Sequence, residues 1–305
     1  MVKVVAALLL SLAFANVAFE PHSPVVTQDA VDAHNNNPSS KWKAHTEWVG
    51  NMTVAEAKAM MGTDLSVPNP FPKKSFGALA DFVTVPQSFD SRTQWSGCIH
   101  PIRNQERCGS CWAFSAAETL SDRFCISENV NVILSPQWLV SCDTSNDGCN
   151  GGNLPLVWQY MESNGIPKDS CDPYISGGGQ SHTGSCTDQC QDQKFYKATN
   201  IGGFYSIDNA KMDIMSNGPV QTGFTVYQDF MSYTSGIYEH SWGSQLGGHA
   251  VKIVGWGNQD GTDYWIVANS WGASWGIDGF FWIGTDQCGI SDDIYAGHAG
   301  TIITN

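Results

Sequence analysis

Two cysteines three positions apart, Cys108 and Cys111, stand in the stretch RNQERCGSCWAFSAAETLSDRF, residues 103–124. From Cys111 onward, Phe114, Ala117, Leu120 and Phe124 recur at helical spacing, so Cys111 opens a helix. Such a pair can be a redox dithiol, half of a metal site, plain framework, or one disulfide partner beside a nucleophile. The redox reading requires a preceding strand in a βαβ unit, and no such pattern precedes Cys108. Zinc would draw on Cys186, Cys190 and His182, in a chain whose start argues for an oxidising compartment. The nucleophile reading needs a base and a group to orient it. His249, in GGHAVKIVGWG, lies 138 residues after Cys111, and Asn269, in YWIVANSWGASWG, lies 158 after it. Taken singly each has a plainer reading, as a structural histidine, a turn asparagine and core tryptophans.

The three together have a chemical logic. A helix N-terminus favours negative charge, and an adjacent imidazolium favours the thiolate further. Cys111 and His249 would form an ion pair whose thiolate attacks a peptide carbonyl, with His249 protonating the leaving amine. Asn269 would accept the other imidazole N–H and hold the ring.

The motif Cys108-Gly109-Ser110-Cys111-Trp112, with Gln105 before it and His249 and Asn269 in order after it, resembles the papain-like cysteine peptidases. The resemblance implies that the Gln105 side-chain amide and the Cys111 backbone N–H hold the oxyanion, and that Trp271 shields the Asn–His bond on the leaving-group side. Across residues 40–300 the chain is similar to the cathepsin B-like branch, through PQSFDSRTQW, SDRFCI, DGCNGG, NGPV, VYQDFMSYTSGIYEH and QCGIS. That similarity implies the pairs Cys98–Cys125, Cys108–Cys149, Cys142–Cys186 and Cys171–Cys190, leaving Cys288 free. It also implies that Gly151 and Gly152 present backbone to an extended substrate, and that Asp293 lies at the base of the S2 pocket. Two features depart from the branch. The segment CDPYISGGGQSHTGSC, Cys171–Cys186, is short and lacks adjacent histidines, so it implies a chain without the occluding loop and a cleft open to endopeptidase action. Glu106-Arg107 stands where the family has Gly after the Gln. The alternatives are a peptide ligase using the same acyl-enzyme and an inactive peptide-binding relative.

Elements must bring these residues together. The chain has 305 residues, 42% of them hydrophobic, enough for a sizeable core. Its net charge of −14 speaks against nucleic acid and anionic membranes as partners; protein and peptide substrates are expected, with no cofactor and no metal, for a monomeric chain. Lys3, the apolar run from Val4 to Ala15, and Ala13-x-Ala15 read as a signal peptide over residues 1–15, for entry to the secretory pathway and then a lysosome, vacuole or the exterior. Asn51-Met52-Thr53 is a glycosylation sequon. Residues 16–40 read as irregular. KWKAHTEWVGNMTVAEAKAMMGT reads as helical, with Trp42, His45 and Trp48 on one face. Residues 66–84 read as a linker, and all ten cysteines lie beyond it. Residues 16–84 therefore read as a removable, inhibitory pro-segment, with maturation near Val83–Val85. In the remainder, Ser135-Pro136 starts a helix over QWLVSC, LVWQYMES reads as another, and VQTGFTVY, HAVKIVGWG, DYWIVANSW and GFFWIG read as strands. Helices first and strands later predict an α+β protein of two lobes, mainly 85–200 and mainly 201–305, the papain-like two-lobed fold.

Overall fold

Ser110, with φ −108° and ψ 17°, turns the chain into helix α4, Cys111–Glu128, which ends at Asn129 in the left-handed conformation. The computed structural model describes residues 20–75, 84–179, 182–186, 190, 193–204 and 206–304; the expected signal peptide lies outside them. Every residue of α4 from Cys111 to Cys125 is buried. A helix buried all round must pair its charged groups internally, and α4 does so for Arg123 and Asp122, while Glu118 Oε1 and Thr119 Oγ1 stay without a hydrogen bond. Arg123 donates to the carbonyls of Pro219, Gly218 and Gly297 and to Asp213. Asp122 accepts from Lys252 at 2.6 Å and from His100 at 2.7 Å, with Glu118 3.7 Å from Lys252.

Around α4 the elements follow in order. The N-terminal part holds α1 (Gln28–Asn35), β1 (Trp42–Ala44) and α2 (Val54–Ala59). Then come β2 (Phe89–Asp90), α3 (Ser91–Gln94), α4, α5 (Pro136–Cys142), α6 (Leu154–Ser163) and β3 (Ile166–Pro167). The last part holds β4 (Lys194–Phe204), α7 (Ile207–Asn217), β5 (Val220–Tyr227), β6 (Tyr233–Tyr238), β7 (Gln245–Gln259), β8 (Thr262–Ala268), β9 (Phe280–Gly284) and β10 (Ile294–Thr304). One sheet runs β1-β6-β9-β8-β7-β5-β10-β4-β3, with β2 on β7; among these described strands only β6 and β9 pair in parallel. Two cores result. One gathers α4 and α6 around Trp112, Leu120, Val157 and Trp158; the other gathers the sheet around Phe224, Phe230, Trp256 and Phe281. This is the expected α+β papain-like architecture. The link between the cores is ionic as well as apolar, because Lys252 belongs to β7 while Asp122 and Glu118 belong to α4.

The N-terminal part departs from its sequence reading. Residues 16–40 are not all irregular: Thr27 caps α1, its hydroxyl accepting from Ala30 N–H. Trp42 begins a strand instead of a helix face. It pairs with Gly236 of β6 and buries its indole among His34, Tyr233 and Tyr238. Tertiary pairing overrides local periodicity here, and the helix is confined to α2, which starts at the Thr53–Glu56 capping box. The expected linker is held down where it is described. Lys74 N–H donates to Gly203 O, and Phe71 meets Tyr295 edge-on. Residues 76–83, including Val83 of the expected maturation site, lie outside the described residues. In the second half, α7 and the long strands β4 and β10 escaped the sequence reading. Both strands carry Gly and interrupted alternation, and β10 pairs with β4 through two register shifts.

Candidate active site

Four elements meet at Cys111. Helix α4 presents the thiol at its first residue, β7 supplies His249, the turn after β8 supplies Asn269 and Ser270, and the loop before α4 supplies Gln105. Cys108, fixed to Cys149 by a disulfide, holds that loop against the chain around Gly148–Gly152. His249 Nε2 donates to Asn269 Oδ1 at 2.7 Å, which also accepts from Ser270 N–H at 2.8 Å. The other ring nitrogen, Nδ1, makes no ordinary hydrogen bond, and the imidazole acts on the Cys111 sulfur as a charge. Trp271 covers the imidazole at 4.8 Å. Burial alone would push the Cys111 thiol up. The His249 charge outweighs it, helped by Thr63 and the Ala250 N–H, and the thiol is held at about 7. At that value a large share of the sulfur is nucleophilic thiolate at neutral pH.

Gln105 is fully buried and its side chain is fixed at both ends. Its Oε1 accepts from Ser270 Oγ at 2.7 Å, and its Nε2 donates to Cys108 O at 2.8 Å and Met60 O at 2.9 Å. The sequence reading missed Ser270, although it sits directly after Asn269. The amide is thus aimed at a carbonyl oxygen, the function expected of an oxyanion donor.

That carbonyl belongs to the N-terminal segment, which runs through the cleft as an added strand. Gly152 N–H donates to Gly62 O, Asp64 N–H to Gly152 O, and Thr63 N–H to Gly248 O, all at 2.9–3.1 Å. The segment is therefore clamped between the α4 side and β7. Thr63 Oγ1 sits 3.2 Å from Cys111 Sγ. Gly62 lies so close to Gly109 that a Cβ there would collide with the Gly109 carbonyl. Gly152 backs onto the indole of Trp112, which leaves no room for a side chain. Leu65 rests against Gly223 and Gly248, and Trp48 stacks on Trp271 at 5.6 Å. Nothing local in the sequence marks Thr63 or Met60 as cleft residues; only the path of the chain does.

The structure joins Cys98–Cys125, Cys108–Cys149, Cys142–Cys186 and Cys171–Cys190, the pairing implied by the resemblance, and leaves Cys111 and Cys288 free. Cys288 and Cys111 are opposites. Burial pushes the Cys288 thiol up to about 12, so it is inert where Cys111 is poised. Gly151 and Gly152 line one open side of the cleft, in a cavity of about 430 Å³ shared with Thr63, Asp64 and Asn153. Asp293 is half-buried, and its carboxyl accepts from Tyr295 at 3.2 Å. Its main-chain carbonyl accepts from Thr222 Oγ1, next to the Gly223 wall that Leu65 covers. Glu106 stands in the left-handed conformation at φ 54°, the geometry that glycine adopts without strain.

Comparison with known proteins agrees with this geometry. Residues 85–298 match the papain family of cysteine proteases. The chain is 39% identical over 294 residues to cathepsin B of Dictyostelium discoideum, covering 88% of this chain and 94% of that one. It is 38% identical over 323 residues to cathepsin B-like protease 1 of Arabidopsis thaliana, covering 90% and 84%. Among solved structures, procathepsin B S9 of Trypanosoma congolense superposes with a TM-score of 0.85 at 34% identity, covering 92% of this chain and all of that one. With a matched domain over most of its length and these relatives, the chain belongs to the papain family of cysteine proteases and is a cysteine-type peptidase.

Proposed function

We propose that the chain is the zymogen of a secretory-pathway cysteine endopeptidase, with residues 16–84 as the inhibitory pro-segment and the peptidase beginning at Val85. Cys111 is the nucleophile. Its thiolate adds to the scissile carbonyl carbon, forming a C–S bond and moving the carbonyl electrons onto oxygen. That oxyanion is held by Gln105 Nε2 and the Cys111 N–H. His249, positioned by Asn269, gives its proton to the leaving amine, then takes one from water as the water attacks the thioester. The observation that carries this reading is the strand Gly62–Asp64, which bonds both walls of the cleft while Met60 O meets Gln105 and Thr63 meets Cys111. Substrate would take the same wall groups once this strand leaves. Full-length protein freed of its leader should hydrolyse peptides far more slowly than protein activated by acid, which should begin near residues 83–85. Full activity in a chain still holding residues 40–80 would refute the zymogen reading.

The short Cys171–Cys186 segment, drawn in by Cys142–Cys186 and Cys171–Cys190, supports a cleft without an occluding loop, open at both ends. Long peptides should be cut internally; C-terminal dipeptides as the main product would refute this. Asp293 is our candidate for recognising a basic P2 side chain. A charged hydrogen bond contributes about 1.5–3 kcal/mol, and Asp293 is half-exposed, so Asp293→Ala should cost Arg-P2 substrates about tenfold in kcat/KM. Leu-P2 substrates should be unaffected. Burial raises the Asp293 carboxyl, with Asp292 adding to this and Tyr295 opposing. The Arg preference should therefore fade with falling pH earlier than an ordinary aspartate would allow. Equal losses for Arg and Leu substrates would make Asp293 structural.

A further inference from the structure

The short Cys171–Cys186 segment contains a residue that touches both Gln105 and Ser110, the residue before Cys111. Tyr174 Oη donates to the Gln105 backbone carbonyl at 2.9 Å and lies 2.8 Å from Ser110 Oγ. A carbonyl can only accept, so the tyrosine proton goes to Gln105 and Ser110 must donate to the tyrosine oxygen. Ser110 is the N-cap of α4, yet its side chain makes no capping bond; the hydroxyl is committed to Tyr174 instead. The next residue is Cys111.

We propose that Tyr174 is a positioning residue for the oxyanion hole: its hydroxyl ties the Gln105 main chain to Ser110, and so fixes the Gln105 amide relative to the Cys111 N–H. This rests on the oxyanion roles assigned above. The tie is needed because of Glu106. The carbonyl that Tyr174 holds is that of the Gln105–Glu106 peptide, and Glu106 is a non-glycine residue at φ 54°. Such a conformation persists only when its surroundings enforce it. The Arg107 N–H donation to Gly177 O grips the other side of Glu106, from the same segment. The segment itself is anchored: Gln137 Oε1 accepts from the Ile175 and Ser176 N–H groups, and the Tyr174 ring meets Phe114 of α4 edge-on at 4.6 Å. Burial pushes the Tyr174 hydroxyl well up, so it remains a donor throughout the working pH range.

The test separates oxyanion geometry from thiol reactivity. Full-length protein carrying Tyr174→Phe is activated by acid and compared with the unaltered enzyme in three assays. Peptide hydrolysis and inhibition by a peptide aldehyde, whose adduct with Cys111 places an oxygen in the oxyanion site, both need the hole. Alkylation by iodoacetamide needs only Cys111 and His249. Removing one oxyanion donor outright costs about a hundred- to a thousandfold in kcat; a loosened one should cost about tenfold. Tyr174→Phe should lower kcat about tenfold with KM little changed and weaken the aldehyde to a similar degree, leaving the alkylation rate intact. Ser110→Ala, which frees the other end of the tie, should move the same two assays in the same direction. Equal loss in all three assays, or no loss of aldehyde affinity, overturns the proposal. Gln105→Ala is the control: if it spares aldehyde affinity, the oxyanion role of Gln105 falls and the Tyr174 proposal falls with it. If Gln105→Ala weakens the aldehyde and Tyr174→Phe does not, the Tyr174 proposal alone fails.

Discussion

Acid-activated protein carrying Cys111→Ala should hydrolyse peptides about a millionfold more slowly than the unaltered enzyme, the scale seen when a nucleophile that works as a unit with its base is removed. The expectation follows from how completely the site is arranged around one sulfur. His249 acts on it as a charge, Asn269 fixes His249, Trp271 covers the ring, and Ser270 fixes the Gln105 amide. The fold should be unaffected, since Ala fits at the start of a helix and the disulfides remain. Measurement of kcat/KM on a fluorogenic peptide decides it. A variant retaining more than about a thousandth of the activity would exclude Cys111 as the nucleophile, because the binding site alone supplies only the residual catalysis.

Asp122→Ala should destabilise the protein by about 3–5 kcal/mol, the usual cost of removing one partner from a buried ion pair. Asp122 is fully buried between Lys252, itself buried, and His100. The change leaves an ammonium in the interior with only Glu118, at 3.7 Å, to balance it. For a chain this size the loss corresponds to a fall of about 10 °C in Tm. Asp122→Leu with Lys252→Met should recover much of it, because that pair exchanges charge for apolar contact. The site also sets a pH trend. Burial would lower the His100 value, but the Asp122 hydrogen bond and charge outweigh it and leave it raised. A proton held more tightly in the folded state stabilises fully below the usual 6.5 and is lost as pH rises through the folded value. Burial likewise raises Glu118, despite the opposing charge of Lys252. Its contribution is present below 4.5 and is lost as pH rises through the folded value. Both groups therefore favour the fold under acid conditions. Thermal melts at pH 5.5 and 8 check both points; a penalty within about 0.5 kcal/mol, the range of ordinary surface substitutions, would mean that the cluster is not what joins α4 to β7.

The parts of this site that were legible in the sequence are those set by local pattern or by residue type. Cys111 was placed by the helix that follows it, and α5 by the Ser135-Pro136 start, where Ser135 Oγ does accept from Trp138 N–H. The strands β5, β7, β8 and β9 were marked by apolar runs between glycine and asparagine turns. What escaped was decided by distant chain. Trp42 sits in a helical pattern, yet pairing with β6 and burial against Tyr238 make it a strand. Thr63 and Met60 gain their meaning only because the N-terminal segment threads the cleft. Asp122, Lys252 and His100 are far apart in sequence, and a lysine in a strand reads as solvated until its partners across the lobe are seen. Tyr174 lay in a segment read for what it lacked, so what it held went unread.

The central claim is that Cys111 is a poised thiolate kept from substrate by the chain's own N-terminal strand. Labelling with a bulky peptide epoxide, followed by peptide mapping, tests it most directly when applied to the same full-length protein before and after acid activation. The account predicts little label before activation, then label on Cys111 after it, with a rate that rises with pH to half-maximum at or below about 7. Cys288 should stay unmodified. Equal labelling of Cys111 before and after activation, or label appearing on Cys288 instead, would contradict it.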